Sequence, residues 1–318
     1  MSNKQILSAF QLETAKRKQD YFWLPQGNET NSFFTTTAKK ANDIDEAGLY
    51  TYTNGDFLMF VEGFDLFQQR ITYSSKRVLV QMLIKHNENK NSFTLREYMN
   101  LCGLTDTKEA RKSLVYDVNL LWNTSIRFKN GDKIRLLGKT NEKELYSRGT
   151  VNFALSAEFR EWLADPKKSF WAYYPLSILQ LPELAGKIAF KLIAHYAMNA
   201  AKKNANYIST KTLMEAAQLN EENIKPSKTG GKPLKQRIID PIEKALETLE
   251  SVGILREFYL MGPRKTRLTD DELVSYNFRD WENYSYFFAL NLPEEYLKNR
   301  QEAIKQQKRI AQQKGGKK

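Results

Sequence analysis

The chain has 318 residues, 41% of them hydrophobic, which is enough for two packed domains of ordinary size and excludes wholesale disorder. Lys and Arg number 49 against 37 Asp and Glu, a formal charge of +12, so a polyanionic partner is favoured. No apolar run approaches the roughly 20 residues that span a bilayer, and the N-terminus lacks an apolar signal core, so a cytoplasmic protein with no membrane partner is expected.

Composition also removes most catalytic chemistry. Cys102 is the only cysteine, so no intrachain disulfide can form. The two histidines, His86 and His195, make neither a zinc-spaced cluster nor the H-x-H pair of a rolling-circle nickase. The run Lys228–Pro233 looks faintly like a phosphate loop. It fails because the spacing needs Gly where Pro226 stands and Ser or Thr where Pro233 stands. No enzymatic activity, cofactor or metal is expected.

Residues 1–66 read as a polar arm followed by strands. Within them Leu49–Thr53 and Phe57–Val61 flank Asn54-Gly55, the favoured pair for a tight hairpin turn. Residues 67–165 form a first domain. Val78, Leu79, Met82 and Leu83 mark a helix over Thr72–His86. Thr94-Leu95-Arg96-Glu97 is a capping box opening a second helix, which stops at Gly103. A third helix starts near Asp106, with Ala110, Leu114, Val118 and Leu121 as its buried stripe. Ser125–Lys129 and Lys133–Leu137 flank Asn130-Gly131-Asp132 as a hairpin, and Val151–Leu155 is expected to close its sheet. Helix-turn-helix plus hairpin is a winged helix.

Residues 166–176 read as a linker, and in residues 177–297 the order repeats. Leu184–Ala201 is a long helix, Ser209 caps a short one, and Leu234–Val252 is long again. Pro241 either kinks that last helix or follows an Asp240 cap; the unbroken apolar stripe favours one kinked helix. Ile254–Met261 and Lys265–Leu268 flank Gly262-Pro263 as a second hairpin. Phe153-Ala154-Leu155-Ser156 and Phe288-Ala289-Leu290-Asn291 end the two halves alike, as an internal repeat would. Residues 298–318 are a basic, Gln-rich tail. The fold class expected is α+β, with two tandem winged-helix domains behind a short N-terminal β-hairpin region.

A recognition helix buries one face and offers the other to the major groove. In the first module Lys108 and Lys112 point away from the stripe, Arg111 flanks them, and Thr107 sits at the helix N-terminus. Lys129, Lys133 and Arg135 lie on the hairpin. In the second module Lys228, Lys232 and Lys235 cluster beside Gln236 and Arg237, and Arg264, Lys265 and Arg267 lie on the second hairpin. Asp240, Glu243 and Glu247 are expected to face outward and limit how deeply that helix enters a groove.

The element order, with Thr94–Met99 opening one helix-turn-helix and Leu234–Leu255 spanning the long helix of the next, resembles the plasmid replication initiator (Rep) family with tandem winged helices. The resemblance covers residues 45–297. It implies binding to double-stranded DNA at repeated origin sites and a homodimer that represses its own promoter. It further implies recruitment of host replication proteins, with no catalysis by the initiator. A transcriptional repressor or phage origin-binding protein built from the same modules is the alternative.

Overall fold

The computed structural model describes residues 21–26, 50–54, 57–61, 73–128, 132–138, 145–164, 170–199, 202, 204–217, 219, 233–263 and 265–293. The chain is mixed α+β, and each half is a winged helix built on a short three-stranded sheet. No described helix is long and apolar enough to cross a membrane.

In the first half, helix α1 (Tyr73–Asn87) leads into strand β4 (Ser92–Thr94), helix α2 (Leu95–Cys102) and helix α3 (Lys108–Trp122). The capping box forms as the sequence implies: Glu97 N donates to Thr94 Oγ1 at 3.2 Å, and Thr94 N donates to the Glu97 carboxylate at 2.7 Å. Gly103 ends α2 at φ 61°, the left-handed conformation that a Cβ disfavours. α3 begins at Lys108, two residues after the expected start near Asp106, and Thr107 caps it. The Thr107 hydroxyl accepts the Ala110 amide at 3.1 Å.

The expected hairpin forms as β5 (Thr124–Phe128) and β6 (Lys133–Arg135), with Ile126 opposite Ile134. It does not share a sheet with the closing strand β8 (Thr150–Asn152). Instead β5 pairs with the N-terminal hairpin, β2 (Tyr50–Asn54) and β3 (Phe57–Val61), in a four-stranded sheet ordered β2-β3-β5-β6. In the β2–β3 register Asn54 is opposite Phe57, so the connection shifts one residue beyond the Asn54-Gly55 pair. Strand β8 pairs with β4 and with β7 (Tyr146–Ser147). The wing of the first module is therefore the β7–β8 hairpin. Leu137 makes an isolated bridge to Leu155, and helix α4 (Ala157–Ala164) follows.

The segment read as a linker contains β9 (Phe170–Pro175), which runs antiparallel to β1 (Tyr21–Gln26). A 3-10 turn over Leu176–Gln180 then leads to α5 (Glu183–Asn199), β10 (Tyr207–Ser209) and α6 (Thr210–Ala217). The Ser209 hydroxyl caps α6 by accepting the Thr212 amide at 3.2 Å, as expected. Lys235–Ile239 form a π turn that runs directly into α7 (Asp240–Ser251). Asp240 is helical, at φ −56° and ψ −41°, so it is no cap and the helix is continuous through Pro241. A proline lacks the amide that an α turn requires, and the widened turn absorbs that defect. The second hairpin does not form as expected: Met261 makes a single bridge to Arg267. Strand β11 (Leu255–Met261) pairs with β12 (Ser285–Leu290), and two short helices, α8 (Asp270–Ser275) and α9 (Phe278–Trp281), lie between them.

The two halves share one hydrogen-bond frame. Phe153 N donates to Asn91 O at 2.9 Å, and Phe288 N donates to Asn206 O at 2.9 Å. Leu95 N donates to Gly149 O at 2.8 Å, and Thr210 N to Tyr284 O at 3.2 Å. Ser156 N donates to Leu136 O at 3.1 Å, and Asn291 N to Ile254 O at 2.9 Å. The repeated Phe-Ala-Leu segments hold equivalent places in that frame, as the sequence repeat implies.

A single apolar core runs through both halves, from Leu79, Val118 and Phe159 to Ile188, Leu246 and Phe288. The contact between halves is tight where Tyr73 of α1 lies against Gly186 of α5. A Cβ at Gly186 would overlap the tyrosine ring, so glycine is required there. The Tyr73 hydroxyl donates to Ile178 O, and Arg77 Nη1 donates to Leu179 O at 3.1 Å.

Candidate nucleic-acid interface

In the first module α3 buries Leu114, Asp117, Val118 and Leu121. Asp117 is the polar member of that face. Its carboxylate accepts from the Ser74 and Ser75 hydroxyls, both at 2.6 Å, and locks α3 to the start of α1. Burial raises the Asp117 pKa while those serines and Arg77 oppose the shift. The opposite face exposes Lys108 and Lys112. Arg111 is exposed too, but it is not a free cation: Nε and Nη2 donate to the two Asp106 carboxylate oxygens at 2.6 and 2.8 Å. The Asp106 bonds hold the guanidinium further into its charged form and hold the carboxyl below its usual range. Thr107 is exposed, with its hydroxyl engaged in the cap.

Lys133 and Arg135 are exposed on β6, on the four-stranded sheet and not on the wing. Lys129 lies outside the described residues. The wing brings a residue that sequence reasoning missed. Arg148 and Gly149 form the tip of the β7–β8 hairpin at φ 51° and φ 78°, with Ser147 opposite Thr150. Arg148 is exposed there. The only sequence signal was Arg-Gly between short polar strands, weaker than the Asn-Gly pairs elsewhere.

In the second module Lys235 and Gln236 are exposed on the π turn, and Arg237 is half-buried. Lys235 Nζ lies 5.1 Å from the centre of the Tyr276 ring. Of the three acids expected to face outward, Asp240 and Glu247 do, whereas Glu243 does not. Its Oε1 accepts from the Tyr276 hydroxyl at 3.1 Å and the Tyr286 hydroxyl at 3.0 Å. Trp281 Nε1 in turn donates to the Tyr286 hydroxyl at 3.1 Å. Burial raises both tyrosine pKa values, and the Glu243 charge adds to the shift. Lys265 and Arg267 are exposed beyond β11, while Lys228, Lys232 and Arg264 lie outside the described residues.

Other chemistry is sparse. His86 and His195 sit on α1 and α5, and burial lowers both pKa values. Burial raises the Cys102 thiol to about 11, far from a reactive thiolate. Among the described residues no cluster of three or more His, Cys, Asp or Glu side chains could hold a metal ion.

No curated protein matches the chain in sequence. Among solved structures, RctB domains 2 and 3 are similar. One aligns at 13% identity over 67% of this chain and 82% of its own, with a TM-score of 0.40. A second aligns at 10% identity over 83% of this chain and 99% of its own, with a TM-score of 0.46. The family model described as initiator replication protein, WH1, matches residues 59–194, which include α1, α2, α3, the wing and the first turns of α5. Over that segment the chain is similar to the WH1 domain of initiator replication proteins.

Proposed function

We propose that this chain binds double-stranded DNA sequence-specifically at repeated origin sites and initiates replication of a plasmid or similar mobile element, without itself catalysing a reaction. The observation that carries the reading is the exposed pair Lys108 and Lys112 on the first turns of α3, inside the segment similar to the initiator WH1 domain. Groove insertion uses those turns, with the wing tip at Arg148 reaching the adjacent backbone. The second module repeats the frame and offers Lys235 and Gln236 at the matching helix start. Thr107 and the backbone amides beside it suit a phosphate at the helix N-terminus. A homodimer acting on its own promoter, and host replication proteins recruited to the opened origin, complete the reading.

Footprinting on the DNA flanking its gene tests this. Tandem protected repeats on one helical face are expected. One short palindrome with no repeats would instead mark a transcriptional repressor. Nicking of supercoiled DNA in the presence of a divalent metal would overturn the non-enzymatic part.

A further inference from the structure

Across the outer face of the second sheet, three aromatic residues stand in one row. The strand register places Tyr207 of β10 opposite Phe287 of β12, and Phe287 opposite Tyr259 of β11. Phe287 stacks on Tyr259 with ring centres 4.7 Å apart and planes at 21°. On its other side Tyr207 meets it edge-on at 5.5 Å. A cation closes each end: Lys265 Nζ lies 5.0 Å from the Tyr207 ring centre, and the Arg267 guanidinium carbon lies 4.8 Å from the Tyr259 ring centre.

All three rings are half-buried, whereas both cations are exposed. Phe287 stacks on Tyr259 and each outer ring carries a cation, which reduces the face left for a nucleic-acid base to stack upon. The exposed product of the arrangement is the pair of charges. Lys265 also adopts φ 57°, a left-handed backbone that a lysine rarely takes. The turn that sets it is closed by Lys265 N donating to Gly262 O and Gly262 N donating to Thr266 O, both at 2.9 Å. Strain of this kind persists where the surroundings fix a side chain in a particular place. The nearest acid on β11, Glu257, lies 3.8 Å from Arg256.

We infer that Tyr207, Phe287 and Tyr259 are positioning residues that hold Lys265 and Arg267 as a preorganised clamp for the phosphate backbone of duplex DNA. This rests on the DNA-binding reading above and adds to it the residues that order the clamp. A free lysine or arginine loses rotamer freedom when it binds a phosphate. One already laid on a ring has lost part of that freedom before DNA arrives. The rings themselves touch no DNA.

The test measures binding of the full chain to a labelled duplex of mixed sequence and to the matching single strand. Tyr259→Leu and Tyr207→Leu should each weaken duplex binding by about 2- to 10-fold, while Tyr259→Phe and Tyr207→Phe restore it. In a Lys265→Gln, Arg267→Gln background the Tyr→Leu changes should have no further effect. Thermal unfolding of every variant separates loss of fold from loss of positioning, and the Tyr→Phe pair keeps the test decisive if a leucine variant unfolds. Full additivity of ring and cation losses overturns the inference. So does loss of single-strand binding with duplex binding intact, which would make the rings a stacking surface. A wild-type chain that binds no duplex would remove the DNA-binding reading itself, and is seen before any variant is compared.

Discussion

Lys112 and Leu114 are two residues apart on α3, yet they answer to different measurements. Leu114 is buried in the core, so Leu114→Ala should cost about 2–5 kcal/mol in a denaturant titration. Lys112→Ala should leave that titration unchanged and weaken duplex binding; equal affinity would remove Lys112 from the interface. Helical periodicity made this division legible, because a stripe of Leu114, Val118 and Leu121 fixes which residues face away. It could not show that Arg111 is held by Asp106, since Asp106 precedes the helix and periodicity does not place it. Arg111→Ala therefore removes a cation and also frees a carboxylate. Glu243 was hidden for a related reason. Its partners Tyr276 and Tyr286 follow β11 in the chain, so a position that reads as solvent-exposed in the local sequence is half-buried in the fold.

At the level of elements, the helix that carries Lys235, Gln236 and Arg237 is shaped by Pro241. The Asp240 amide donates to Lys235 O, a bond one residue longer than an α turn makes. That π turn rotates the three polar residues relative to the stripe formed by Ile242, Ala245 and Leu249. Pro241→Ala restores the missing amide donor. Thermal stability should then stay equal or rise, while the preference among duplexes differing by single base pairs changes. Unchanged preference would mean that this turn does not set readout. Caps and stops were the most legible elements, because Thr94, Ser209 and Gly103 act within a few residues of themselves. Strand partners were the least legible. β5 found β3 and β8 found β4, and the local pattern of each strand is equally compatible with the simple wing first expected.

Across the whole molecule, the two modules meet along α1 and α5, and that contact contains an ionisable side chain. Lys76 of α1 is buried. Burial, reinforced by Lys187 and Lys191, lowers its pKa to about 7, with Glu183 opposing. The unfolded chain keeps this lysine protonated up to its ordinary value of 10.5, so between those values the unfolded state holds the extra proton and stability rises with pH. Lys76→Met should raise stability at neutral pH and flatten that rise, as denaturant midpoints at about pH 7 and about pH 9.5 would report. An unchanged slope would show that Lys76 stays charged in the fold. The repeat was legible in the two Phe-Ala-Leu segments, whereas the pairing of β1 with β9 was not, because strands so distant in sequence leave no local trace of each other. Both modules are proposed to engage one duplex, and the salt dependence of affinity tests this most directly. If about six to ten phosphates are neutralised, wild-type affinity should fall roughly 10³–10⁵-fold between about 50 and 200 mM salt. Lys108→Ala with Lys112→Ala, and separately Lys235→Ala with Arg267→Ala, should each reduce the log–log slope by about two on the same duplex. A flat wild-type response, or a slope that only one pair of substitutions changes, would contradict it.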